Sequence, residues 1–248
     1  MIVFLPFMKN MLDSSADDAH ANRRRPLRSY HLAWAVLALA VILDIALGYW
    51  LYQKKPSNQP DPPGVQTLAQ PEAAPAFILM DQNLKAFTQT QLLGKWTIML
   101  FGYTHCPDFC PTTLAALNNA YRRLERSDAG LAASTQVVFV SVDPFRDSAP
   151  VLADFVRHFN PLFIGATGPP AQLQRLTQPL GASYDYADPV SGGPLGSTLQ
   201  QPLKKYSVNH SSGFYIFDAK ARMVAWVLPP HTADRIVSVY KFIRGRYE

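Results

Sequence analysis

Residues 96–111 read Trp-Thr-Ile-Met-Leu-Phe-Gly-Tyr-Thr-His-Cys-Pro-Asp-Phe-Cys-Pro. Trp96–Gly102 is a short apolar run, the pattern of a strand buried on both faces. From Pro111 to Arg126 the apolar period changes, and Leu114, Leu117, Tyr121 and Leu124 recur on one face of a helix. Pro111 suits the first helical turn, where a missing N–H costs nothing. Between strand and helix lie the chain's two cysteines, Cys106 and Cys110. The carboxyl ends of strands are where open α/β sheets place their sites. Cys110 is expected at or near the helix N-terminus, where the macrodipole and unpaired N–H groups favour thiolate over thiol.

Working outward, the same alternation continues. Gln136–Val142 reads as a second buried strand, Ala149–Phe159 as a helix, Leu162–Ala166 as a short strand and Ala171–Leu180 as another helix. Residues 184–205 hold Gly and Pro and read as an irregular insertion. Gly213–Phe217 and Met223–Leu228 form a hairpin across Asp218–Ala221, and Thr232 caps a last helix running to about Arg244. Upstream, Phe77–Met80 and Lys85–Thr88 flank Asp81-Gln82-Asn83 as a small hairpin. The class is α/β, a central mixed sheet covered by helices.

The folded part is expected at 76–248, behind three other segments. Leu32–Tyr52 is a run of 21 residues with one ionisable group, Asp44. At helical rise it spans roughly 30 Å, about a hydrocarbon core, so 30–53 is read as a transmembrane anchor. Tyr30, Trp34, Tyr49, Trp50 and Tyr52 lie towards its ends, as in an interfacial belt. The run ends in Tyr-Trp-Leu-Tyr-Gln-Lys-Lys rather than the small residues of a signal-peptide cleavage site. Asp44 is costly at mid-membrane and either meets a partner helix or sits protonated. Arg23, Arg24, Arg25 and Arg28 precede the run, and Lys54 and Lys55 follow it. That bias predicts a cytoplasmic segment at 1–29 and an exported C-terminal domain, in the periplasm of a bacterial inner membrane. Asp13, Asp17 and Asp18 argue against a mitochondrial transit peptide. Six prolines fall within 54–75, which predicts a semi-extended tether of up to about 60 Å. The formal charge of +5 is weighted towards the apolar run. It forms no basic stripe on the folded part, so nucleic acid is not an expected partner.

Two cysteines four positions apart allow three chemistries: a structural disulfide, a redox-active dithiol or a soft-metal chelate. A bridge over so short a loop constrains the unfolded chain by only about 2 kcal/mol, against nearly 5 for a 100-residue loop. That disfavours a structural disulfide and leaves redox, metal or both. Two sulfurs and one imidazole suit copper, whereas zinc would normally want a fourth ligand. The available imidazoles are His105, His158, His210 and His231; His210 lies in the polar stretch Tyr-Ser-Val-Asn-His-Ser-Ser, read as a loop before a strand.

Three motifs resemble one family. Gly102–Leu114 is similar to the Cys-x-x-x-Cys-Pro signature of the Sco/SenC proteins. Phe-Val-Ser-Val-Asp-Pro-Phe-Arg-Asp at 139–147 resembles their second motif, and Val-Asn-His-Ser-Ser-Gly-Phe-Tyr-Ile-Phe-Asp at 208–218 their third. The likeness covers roughly residues 75–245, and a membrane anchor with a proline-rich tether is usual there. It implies a thioredoxin-like fold with an inserted hairpin, mapped to 184–205. It implies copper held by Cys106, Cys110 and His210. It also implies help in assembling the copper centre in subunit II of cytochrome c oxidase, as copper donor, as thiol reductant acting through Cys106 and Cys110, or both. The implied partners are that subunit, a thioredoxin-like reductant and other copper chaperones. The chain is thus expected to be a transfer protein rather than a turnover enzyme. Asn209 departs from the Asp that commonly precedes the histidine, which predicts a weaker hold on the His210 ring. Asp143 and Arg146 admit two readings: Asp-Pro turn chemistry, or a supporting role in which Asp143 lies near the dithiol and tunes its protonation.

Overall fold

The computed structural model describes residues 28–53, 59–188, 190–196 and 205–248. The expected cytoplasmic segment at 1–29 falls almost wholly outside them. The chain divides into two units, 1–55 and 56–248. In the first, α1 spans Arg28–Gln53, and its stretch Ala33–Trp50 is long and apolar enough to cross a membrane, with none of it buried.

The second unit is built on an eight-stranded mixed sheet. Its strands are β1 (Val65–Ala73), β2 (Ile78–Asp81), β3 (Ala86–Thr88), β4 (Trp96–Gly102), β5 (Thr135–Ser141), β6 (Ile164–Thr167), β10 (Phe214–Phe217) and β11 (Arg222–Val227). They lie in the order β1-β11-β10-β4-β5-β6-β2-β3. β4, β5 and β6 are parallel neighbours, and the other pairings are antiparallel. β4 is buried along its whole length because both faces are covered. Trp96, Ile98 and Leu100 pack against α2 (Phe109–Ser127), α4 (Ala149–Phe159) and α6 (Ala233–Tyr247). Met99 and Phe101 face α5 (Pro170–Thr177) and a group of tyrosines. A short α3 (Ala129–Ala133) links α2 to β5. This is the thioredoxin-like arrangement the motifs implied.

Two expectations are corrected. The tether does not run to residue 75, because Val65–Ala73 forms an edge strand on β11, with Val65 opposite Val227. The prolines misled: Pro71 falls in the register shift between Thr67 and Glu72, where no ladder N–H is required. The chain is already held at Asp61, whose carboxylate takes the Thr67 N–H at 2.8 Å and pairs with Arg246. The inserted hairpin that the resemblance implied within 184–205 is present, so only the irregular reading of that segment is corrected. β7 (Tyr184–Ala187) and β8 (Pro194–Gly196) are its hairpin, and β9 (Ser207–His210) joins them in a separate sheet, ordered β8-β7-β9. His210 is therefore a strand residue, opposite Tyr184, rather than a loop residue.

Candidate metal centre

β4 ends at Gly102, residues 103–108 form a loop, and α2 begins at Phe109. Cys110 is the second residue of that helix and is fully buried. Its sulfur fits because position 102 has no side chain. A Cβ on Gly102 would overlap Cys110 Sγ and come within 2.8 Å of the Phe139 ring. Cys106 sits on the loop, half-buried, its N–H bonded to the Tyr103 carbonyl at 3.2 Å.

The third motif delivers its imidazole here. Cys106 Sγ, Cys110 Sγ and a ring nitrogen of His210 all lie within 4.8 Å of one another. His210 Nε2 is 3.5 Å from Cys110 Sγ. The other ring nitrogen, Nδ1, is 3.1 Å from the Ser211 carbonyl. A carbonyl only accepts, so Nδ1 carries the proton and Nε2 turns a lone pair towards the sulfurs. Tyr103 meets the His210 ring edge-on at 5.9 Å, and Phe109 lies 5.8 Å from it. Tyr103, Cys106, Pro107, Phe109, Val208 and His210 line a cleft of about 410 Å³.

The two thiols differ sharply. Cys106 is held down to about 3, chiefly by the hydrogen bond from the Cys110 thiol and, after burial has opposed it, in part by the Cys110 N–H. Cys110 is driven far up by the neighbouring Cys106 thiolate and by its burial. The expectation that the helix N-terminus makes Cys110 the thiolate is thus corrected. The helix's free N–H at Cys110 points to Cys106 Sγ at 3.4 Å, so the terminus stabilises charge on the residue four places earlier.

The remaining candidates lie elsewhere. His105 is exposed beside Thr104, and on α4 His158 meets Phe159 edge-on. His231 packs on Phe109 and Phe214, donates to the Val227 carbonyl at 3.3 Å and meets Thr113 Oγ1 at 3.2 Å. Asp143 is fully buried, and its carboxylate is taken by Arg146 Nε at 2.5 Å and the Tyr206 hydroxyl at 2.6 Å. Asp147 is a further buried carboxylate near the dithiol, and its charge adds weakly to the rise of Cys110. Asp147 accepts from Thr104 N–H at 2.8 Å, Thr104 Oγ1 at 2.6 Å and Ser141 Oγ at 2.5 Å, and burial lifts its own pKa. It closes the same Asp-Pro-Phe-Arg-Asp segment as Asp143. Asn209 faces the other side of β9 and donates to Asp185 at 3.2 Å. Its departure from the usual Asp removes no partner of His210, whose ring is oriented by backbone.

The family model SCO1/SenC matches residues 65–243. This chain belongs to the SCO1/SenC family. The match opens at Val65, the first residue of β1. Among SCO1/SenC relatives, the human mitochondrial SCO2 homolog is 34% identical over 64% of this chain and 55% of its own length. The Arabidopsis thaliana mitochondrial SCO1 homolog 1 is 30% identical over 68% of this chain and 46% of its own. The chain thus spans about half the length of these two relatives. The crystal structure of Arabidopsis thaliana ScoI with copper bound aligns with a TM-score of 0.58 and 30% identity, covering 69% of this chain and 99% of that one.

Proposed function

We propose that this protein is a membrane-anchored copper chaperone. It binds one copper ion through Cys106, Cys110 and His210 and assists assembly of the copper centre of cytochrome c oxidase. The observation that carries this is the meeting of two sulfurs and one correctly protonated imidazole within 4.8 Å. The donor set fits the ion. Soft sulfur and neutral imidazole suit Cu(I), and two thiolates around Cu(I) leave a net charge of −1 beside a helix N-terminus. Copper is the cargo rather than a resident cofactor. The copper-bound relative supports the assignment, and α1 supports a membrane anchor; the charge bias around it is the argument for a cytoplasmic N-terminus and a folded unit in the periplasm of a bacterial inner membrane. The oxidase subunit II site, a thioredoxin-like reductant and other copper chaperones are the partners this role requires.

A second reading has its own observation. An accessible low-pKa sulfur beside a buried thiol is the layout of a dithiol reductant, acting on the oxidase's own cysteines. Metal analysis of the reduced full chain in detergent separates the two. The chaperone reading expects one copper per chain, lost in Cys106→Ser, Cys110→Ser and His210→Ala. Undiminished binding by the Cys106→Ser/Cys110→Ser variant would sink it. Oxidase assembly that survives His210→Ala but not Cys106→Ser would favour the reductant.

A further inference from the structure

His210 reaches the sulfurs on a sheet that shares no strand with the sheet carrying them. The chain joins the two through residues 211–213, Tyr186 Oη donates to the Val142 carbonyl at 2.9 Å, and a further contact bears on the strand that ends in the imidazole. Tyr206, the residue before β9, is gripped by the turn after β5 in three ways. Its hydroxyl donates to Asp143 at 2.6 Å, its carbonyl accepts from Arg146 Nη1 at 3.2 Å, and its ring lies 3.8 Å from the Arg146 guanidinium carbon. The same guanidinium faces the Tyr103 ring at 5.5 Å. Tyr103 in turn meets the His210 ring and fixes the Cys106 N–H. One cation therefore touches both the segment leading to the histidine and the segment leading to the cysteines.

We infer that Arg146 is a positioning residue for His210, acting through Tyr206 and Tyr103. The inference rests on the copper reading above. His210 follows Tyr206 by four residues of extended backbone, so a displacement at the grip is carried along the strand to the ring. Among the described residues Arg146 Nη2 is buried without a hydrogen-bond partner, so the pair is not arranged for hydrogen bonding alone. Ion pairs of this kind can often be exchanged for apolar residues without loss of stability. Holding two sheets in register is a separate task, and a planar cation lying over both the Tyr206 and the Tyr103 rings is suited to it.

The test uses Asp143→Asn/Arg146→Met, which removes the cation without leaving a buried unpaired carboxylate, beside Arg146→Met alone and Tyr206→Phe. Cu(I) affinity is measured by chelator competition on the reduced full chain, and the copper shell by X-ray absorption. The double variant is expected to lose about tenfold in affinity, as outer-shell partners typically cost. The imidazole shell should weaken while the two-sulfur shell persists. Tyr206→Phe is expected to move both readouts in the same direction. In a His210→Ala background the double change should cost less than about twofold more, since the ring it positions is gone. An unchanged imidazole shell, or the full tenfold loss repeated without His210, would overturn the inference alone. If His210→Ala by itself changed neither affinity nor shell, the three-ligand reading would fall and this inference with it.

Discussion

His210 Nε2 stands 3.5 Å from Cys110 Sγ, although 100 residues of chain separate them. The distance is set from both sides. Burial in the hollow at Gly102 fixes the sulfur, and the Ser211 carbonyl fixes the ring's protonation.

Gly102→Ala is expected to displace the Cys110 sulfur, since the new methyl and that atom cannot share the space. Overpacking of this kind costs about 1–3 kcal/mol of stability, and copper affinity should fall by at least about tenfold. Thermal unfolding and chelator competition measure the two losses. A Gly102→Ala protein that binds as tightly as the parent would show that the sulfur is not fixed by the hollow.

The reduced, metal-free protein should alkylate at Cys106 and spare Cys110. Cys106 is held at about 3, so it is thiolate throughout pH 5–8, and its reaction rate with iodoacetamide should be flat there. The rate should decline only as pH drops towards 3. Peptide mapping by mass spectrometry distinguishes the sites. A rate rising tenfold per unit near pH 8 at Cys106 would contradict the assignment.

Copper uptake should release about one proton per ion near pH 7. Cys106 is already ionised, whereas Cys110 is held protonated and must lose its proton to ligate. The sign follows: affinity rises with pH, by about tenfold per unit, because a proton competes with the metal at one sulfur only. Two ordinary thiols would give a slope near two. Titration calorimetry in buffers of different ionisation enthalpy reads the proton count.

A chain beginning at residue 76 is expected to be less stable than one beginning at 59. It lacks β1, which covers the edge of β11, and the anchor of Asp61 to Arg246. The bared β11 edge should promote association. Comparing the two in denaturant titrations and by light scattering tests this, and equal behaviour would mean that β1 contributes nothing.

The parts of the fold written in period and punctuation were readable from the chain. Trp96–Gly102 and Ala149–Phe159 emerge with the bounds their apolar patterns indicate. β1 was not readable, because Pro71 and its flanking polar residues look like tether, and only the partner strand explains how they pair. The two cysteines announced themselves by spacing, and His210 by the motif around it. The division of charge between the sulfurs did not, since it depends on which one receives the Cys110 N–H. Asp147 was hidden by its neighbour Asp143, and nothing short of three dimensions shows which of two carboxylates turns towards the loop.

The full enclosure of Cys110 has a consequence for traffic. With one sulfur walled in by Gly102 and Phe139, an ion held here opens, among the described residues, onto the cleft beside Cys106 and His210. On the chaperone reading, whatever delivers the metal and whatever collects it meet it at that same cleft. Supplier and recipient then take turns, and neither can dock while the other is seated.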